Sequence, residues 1–163
     1  QMMRPEDIAR LGALDVMACV QPTHLVLDMD MIEQALGERG RHTYPFRSLL
    51  DAGVMLCLSS DAPVCDPDPI LGIHAAVTRQ RPDGTPEGGW YPEQRITLDE
   101  AVWGYTRAPA IAMGVDDELG SITEGKRGDL VVLDRDLWDE APARLHEARV
   151  AMTVLDGEVV YEA

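Results

Sequence analysis

Two short stretches decide the fold: Val16-Met17-Ala18-Cys19-Val20 and Val54-Met55-Leu56-Cys57-Leu58, nearly the same string repeated 38 residues apart. Neither alternates polar with apolar residues, so neither reads as a strand with one wet face. Continuous apolar runs of this length, each preceded by a helical stretch, are the pattern of parallel strands covered on both faces. The helix before the first is Pro5–Leu14, where Pro5 followed by Glu6 and Asp7 suits a helix N-terminus and Ile8 and Leu11 share a face. The helix before the second is Phe46–Ala52, with Gly53 positioned as its stop. A further helical stretch, Met29–Leu36, ends at Gly37 and Gly40. The order helix, strand, loop, helix, strand is a βα repeat. Both strands run into polar, Pro-containing loops, Gln21-Pro22-Thr23-His24 and Ser59-Ser60-Asp61-Ala62-Pro63. The loops at strand C-termini are where such sheets carry their chemistry.

Beyond these strands, Pro69–Gln80 reads as a helix with Ile70, Ile73, His74 and Val77 at helical spacing. The segment from Arg81 to Arg95, rich in Gly and Pro, is too irregular for a packed element. Thr97-Leu98-Asp99-Glu100 is a capping box that starts a helix from Leu98 to Arg107, and Pro109 restarts a short one that ends at Gly114. From there the character changes to strands: Gly128–Leu133, then Met152–Leu155 and Glu158–Tyr161 around an Asp156-Gly157 hairpin turn. Two parallel strands are too few to close a barrel, so the remaining strands are expected from residues before Gln1, or from a second copy covering the open edges.

Composition narrows the partners. Across 163 residues, 14 Lys+Arg stand against 29 Asp+Glu, a formal charge of −15 at pH 7. Such a surface repels DNA phosphates and anionic lipid headgroups, so neither nucleic acid nor membrane is an expected partner. The longest run without a charged residue, Val16–Leu27, has twelve residues, short of the roughly 20 needed to span a bilayer. Arg4, Glu6, Asp7 and Arg10 leave no apolar segment near Gln1 that reads as a signal peptide. Cys19, Cys57 and Cys65 are odd in number and lack CxxC spacing, which fits a reduced, cytoplasmic setting.

Five strings then follow one another in order: Leu-Ser-Ser-Asp-Ala-Pro (58–63), Ile-Thr-Leu-Asp-Glu-Ala-Val (96–102), Tyr-Thr-Arg-Ala-Pro-Ala (105–110), Leu-Gly-Ser-Ile-Thr-Glu-Gly-Lys-Arg-Gly-Asp-Leu-Val-Val-Leu-Asp (119–134) and Val-Leu-Asp-Gly-Glu-Val-Val-Tyr (154–161). Together they resemble the C-terminal part of the metal-dependent amidohydrolase superfamily. Gln21-Pro22-Thr23-His24 and its distance to Asp61 resemble amidohydrolase family 3, which includes N-substituted formamide deformylase-like enzymes. The resemblance implies an α/β chain: a C-terminal fragment of a (β/α)8 amidohydrolase barrel over residues 1–117, then strands of a small β-sandwich over residues 118–163. Val16–Val20 would be barrel strand seven and Val54–Leu58 strand eight.

The chemistry implied is hydrolysis of non-peptide carbon–nitrogen bonds of the N-acyl or N-formyl amine type. In the complete enzyme one or two divalent metals, zinc first among them, polarise the carbonyl and lower the pKa of bound water to about 7. By the resemblance Asp61 occupies the position of the strand-eight carboxylate that binds metal and moves the proton; read from the residues alone it is first a turn aspartate capping its loop. His24 takes a substrate-binding role by the same resemblance, against a plain loop histidine. His42, His74 and His146 read as structural, Cys65 as a bystander, and Asp66-Pro67-Asp68 lacks the spacing of a calcium loop. Lys126, the only lysine, lies in a turn and is no bridging lysine of a barrel strand.

The departures from the family matter as much. The His-x-His pair of strand one, the mid-barrel metal bridge and the histidines of strands five and six have no counterpart here. By the resemblance Gln1 would be the last residue of a Glu-His-Ala-Gln string closing strand six. A lone carboxylate cannot hold zinc, which takes about three or four protein ligands. The 163-residue chain alone is therefore expected to bind no catalytic metal and to lack activity. Its expected partners are a small-molecule amide substrate and either the missing N-terminal part or further copies in a homo-oligomer. The alternative reading is a catalytically dead relic that serves as an oligomeric interaction module.

Overall fold

The β1 strand (Ala18–Val20) and β2 (Leu56–Leu58) lie side by side, parallel and in register, with Ala18 opposite Leu56, Cys19 opposite Cys57 and Val20 opposite Leu58. The structure is a computed structural model that describes residues 1–163. The repeat read from the sequence is thus a physical one: α1 (Pro5–Ala13) precedes β1, and α2 (Pro22–Leu36) and α3 (Phe46–Asp51) lie between the strands. After β2 come α4 (Pro69–Thr78), α5 (Leu98–Tyr105) and α6 (Arg107–Met113). The antiparallel sheet β3 (Leu130–Leu133), β4 (Val150–Leu155) and β5 (Glu158–Glu162) closes the chain.

Two expectations are corrected. Gln21-Pro22-Thr23-His24 is not a loop: α2 begins at Pro22, seven residues before the apolar periodicity makes a helix evident. Pro22 lacks the N–H that a helix start leaves unpaired, and its fixed φ is already helical, so it opens the helix directly after the strand. The two strands also differ in burial. All three residues of β2 are buried, whereas Cys19, Val16 and Met17 are exposed. The reason is local: within residues 1–163, α3, α5 and α6 pack against β2, whereas the main neighbour of β1 is β2 itself. Gly104 permits the α5 approach, because a Cβ there would sit 2.7 Å from Leu58 Cγ.

The core runs through both halves of the chain. Leu25, Met29 and Ile32 from α2 pack with Phe46 and Leu49 from α3, Leu56 and Leu58 from β2, and Ile70, Ile73 and Ala76 from α4. Leu137, Leu145 and Ala148 join the same cluster from beyond residue 118. We propose that residues 1–117 are the barrel part and residues 118–163 the β-sandwich part, joined through this shared core. The capping box forms as read, with Thr97 accepting from the Glu100 N–H and the Glu100 carboxylate accepting from the Thr97 N–H. The β4–β5 turn has both Asp156 (φ 55°) and Gly157 (φ 83°) in the left-handed region, the pairing a two-residue hairpin requires.

His74 shows why a histidine among apolar residues is structural. It is buried on α4 and its ring meets that of His146 edge-on, with centroids 4.8 Å apart. Burial, with the facing His146 as a smaller contribution, pushes its pKa down to about 4 from the ordinary 6.5. Between those values the unfolded chain binds a proton that the folded chain refuses. Stability from this group is therefore complete above pH 6.5 and falls as the pH drops toward 4, by on the order of 2–3 kcal/mol. Urea midpoints at pH 7 and pH 4.5 are expected to differ more for the natural chain than for His74→Phe. Equal pH dependence in the two would contradict this account of His74.

Candidate active site

Strand ends bring the candidate residues together. Three residues past β2, Asp61 has φ 59°, a left-handed conformation that Asp tolerates better than most residues. Its carbonyl accepts from the Val64 N–H at 2.8 Å, while its carboxylate is exposed and makes no hydrogen bond. Directly past β1, in the first turn of α2, His24 is buried. Its Nε2 lies 3.9 Å from Asp61 Oδ2, too long for a hydrogen bond, and has no partner.

The other ring nitrogen is held by an amide. Gln1 Nε2 lies 3.0 Å from His24 Nδ1. An amide donating there makes Nδ1 the acceptor and puts the proton of a neutral ring on Nε2, facing Asp61. Gln1 is itself held by its carbonyl, which accepts from the Tyr44 N–H at 2.7 Å. The Tyr44 hydroxyl in turn donates to Asp28 on α2, and burial with that carboxylate pushes the phenol pKa far up. A second tie joins the strand ends: Gln21 Nε2 donates to Ser59 Oγ at 3.1 Å, and the Ser59 N–H donates to the Val20 carbonyl at 3.0 Å. Gln1, Gln21, Ser59 and Tyr44 are the residues sequence reasoning missed. Only the polar strand-end strings hinted at Gln21 and Ser59.

The remaining candidates lie elsewhere. Cys65, partly buried, lines a cleft of about 330 Å³ with Thr23, Val26, Leu27, Val64 and Leu71. Asp68 caps α4 by accepting from the Ile70 N–H, and Asp66 accepts from the Asp68 N–H. Both are thus occupied by backbone. Lys126 donates to the Asp116 and Leu119 carbonyls, and His42 is exposed at the end of a short 3₁₀ turn, Gly37–His42. As a metal site the arrangement is partial. The free carboxylate of Asp61 is a suitable oxygen donor, but no three His, Cys, Asp or Glu side chains come together, and zinc takes about three or four such ligands.

Comparison with known proteins decides the family. The profile of the amidohydrolase family matches residues 1–161. The chain belongs to amidohydrolase family 3. It is 43% identical over 128 residues to N-substituted formamide deformylase of Arthrobacter pascens, covering 77% of this chain and 23% of that protein. It is 37% identical over 163 residues to Protein LONG AFTER FAR-RED 3 of Arabidopsis thaliana, covering 99% of this chain and 27% of that one. The amidohydrolase chain thus spans about a quarter of the length of these relatives. Among solved structures it is similar to an uncharacterized metal-dependent hydrolase of Pyrococcus furiosus. The TM-score is 0.64 at 26% identity, covering 78% of this chain and 25% of that one. Its fold is that of a part of an amidohydrolase barrel, with β1 and β2 as two of the parallel strands.

Proposed function

We propose that this chain supplies the last two βα units and the strand-eight carboxylate of a hydrolase acting on non-peptide carbon–nitrogen bonds, of the N-formyl or N-acyl amine class. The observation that carries the reading is the convergence of two strand ends on one unpaired polar couple. The Asp61 carboxylate is free of hydrogen bonds, and a buried His24 Nε2 without a partner stands 3.9 Å away. A buried donor left unmade is costly, by about 1–3 kcal/mol, and such groups are retained where a ligand completes them.

In the complete enzyme Asp61 would be one ligand of a divalent metal, zinc by the resemblance to the family, which when bound would supply a polarised carbonyl and a water of pKa about 7. This chain's own residues do the rest. Asp61 accepts the proton of the attacking water at a carboxylate oxygen and returns it to the departing nitrogen. From the wall of the same site, the His24 Nε2–H donates to an oxygen of the substrate, with Gln1 holding the ring in that tautomer. A neutral donor fixed in advance costs no reorganisation during the reaction.

The test is a panel of N-formyl and N-acyl amines, with a peptide as the control, offered to the longest protein that carries this segment. Turnover of the small amides with release of the amine is expected, and the peptide is expected to remain intact. Turnover of none of them by a folded, zinc-loaded protein would overturn the proposal.

A further inference from the structure

The cleft lined by Cys65 adjoins the His24–Asp61 couple and has no assigned occupant. Its walls are the first turns of α2 (Thr23, Val26 and Leu27), the segment after Asp61 (Val64 and Cys65) and α4 (Leu71). All three follow the C-terminal ends of β1 and β2, and α2 and α4 pack directly on each other. The cleft is thus built within residues 23–82 and takes nothing from the faces of the strands. Each wall starts at one member of the couple: Thr23 precedes His24 in the first turn of α2, and the Val64 N–H donates to the Asp61 carbonyl at 2.8 Å. Thr23 is 7% exposed, and its Oγ1 has no hydrogen-bond partner, like the neighbouring His24 Nε2. Buried polar groups left unpaired are rare, and two side by side mark a place that a ligand completes.

The lining selects by charge and size. No lysine or arginine reaches the cleft, and its one carboxylate, Asp66, opposes an anionic group. His74 offers no positive charge at pH 7, since burial pushes its pKa down to about 4. An apolar cavity of about 150 Å³ holds benzene, so a cleft of about 330 Å³ has room for a hydrocarbon group of roughly six carbons. We propose, on the hydrolase reading above, that this cleft receives the group carried by the substrate nitrogen, an uncharged hydrocarbon, and so sets which amides are cleaved. In that reading Asp61 returns a proton to the same nitrogen, and the wall that follows Asp61 is Val64 and Cys65. An N-formyl amine carries all of its hydrocarbon on that side.

The experiment has a binding arm and a turnover arm. In the 163-residue chain, N-hexylformamide is expected to shift the methyl NMR signals of Val26, Val64 and Leu71, and to bind about tenfold or more tightly than N-methylformamide. In the longest protein that carries this segment, kcat/KM is expected to rise by up to about four-fold per methylene from the N-methyl to the N-hexyl compound. Ending the hexyl chain in a carboxylate is expected to lower it about tenfold or more. Leu71→Trp fills the cleft and is expected to lower the hexyl-to-methyl ratio of kcat/KM by about tenfold. Both substrates meet the same folded molecules, so partial unfolding leaves that ratio unchanged. Turnover without dependence on chain length, or hexyl shifts that map outside the cleft, would overturn the proposal and leave the hydrolase reading standing. Binding in the cleft with turnover of no formamide would overturn the hydrolase reading, and the substituent assignment with it.

Discussion

Asp61→Asn in the active protein is expected to lower kcat/KM for the amide substrate by about 10²–10⁴-fold, the size of a lost proton-transfer group. The choice of Asn separates the two readings of this residue. Asn is nearly the same shape and, like Asp, tolerates the left-handed region that φ 59° requires. A residue that served only its turn would survive the exchange, because the backbone bond from the Val64 N–H to the Asp61 carbonyl is untouched. A carboxylate that binds metal and accepts a proton would not. Activity within a few-fold of the natural protein, with the fold intact by circular dichroism, would remove Asp61 from the chemistry.

Arg79→Ala is expected to destabilise the chain by about 3–5 kcal/mol, the range for truncating a large, fully buried side chain, and to lower the Tm by roughly 6–20 °C. Arg79 is completely buried at the C-terminal end of α4, with φ 56°. Its Nε donates to the Trp90 carbonyl at 2.5 Å and its Nη1 to the Tyr44 carbonyl at 3.0 Å. The guanidinium carbon lies 5.7 Å from the Phe46 ring centroid and 5.5 Å from that of Trp90. One side chain thus fastens the Gly- and Pro-rich segment after α4 to the turn that holds Gln1 and the site. Burial also works against the cation, pushing its pKa down to about 10. Arg79→Met, which keeps most of the volume without burying a charge, is therefore expected to cost less than Arg79→Ala. A loss below about 1 kcal/mol for Arg79→Ala in urea titration would contradict this role.

How far the sequence could be read follows from how local each signal is. The β1 and β2 strings, the Thr97 capping box and the Asp156-Gly157 turn depend on neighbours within a few residues, and each formed where it was expected. Asp61 stands out because the string Leu-Ser-Ser-Asp-Ala-Pro (58–63) that follows a recognisable strand resembles the family's strand-eight segment. The start of α2 was missed because its first turn holds Pro22, Thr23 and His24, which resemble a loop until the proline is read as a helix opener. β1 is less covered than its apolar string predicts because, within residues 1–163, α3, α5 and α6 pack on β2 and not on β1. Nothing near Gln1 in the sequence points to His24, nor near Arg79 to Tyr44. These contacts join residues 23 and 35 positions apart, and only the packing of α2 and α4 around one core creates them.

Zinc content and turnover of the purified 163-residue chain test the central claim most directly, namely that this polypeptide holds one share of an amidohydrolase site. Asp61 is the one carboxylate placed as a metal donor, and no three His, Cys, Asp or Glu side chains come together around it. The account predicts a folded chain with zinc well below one equivalent after dialysis and no hydrolysis of N-formyl or N-acyl amines. One equivalent of tightly held zinc together with amide turnover would contradict it.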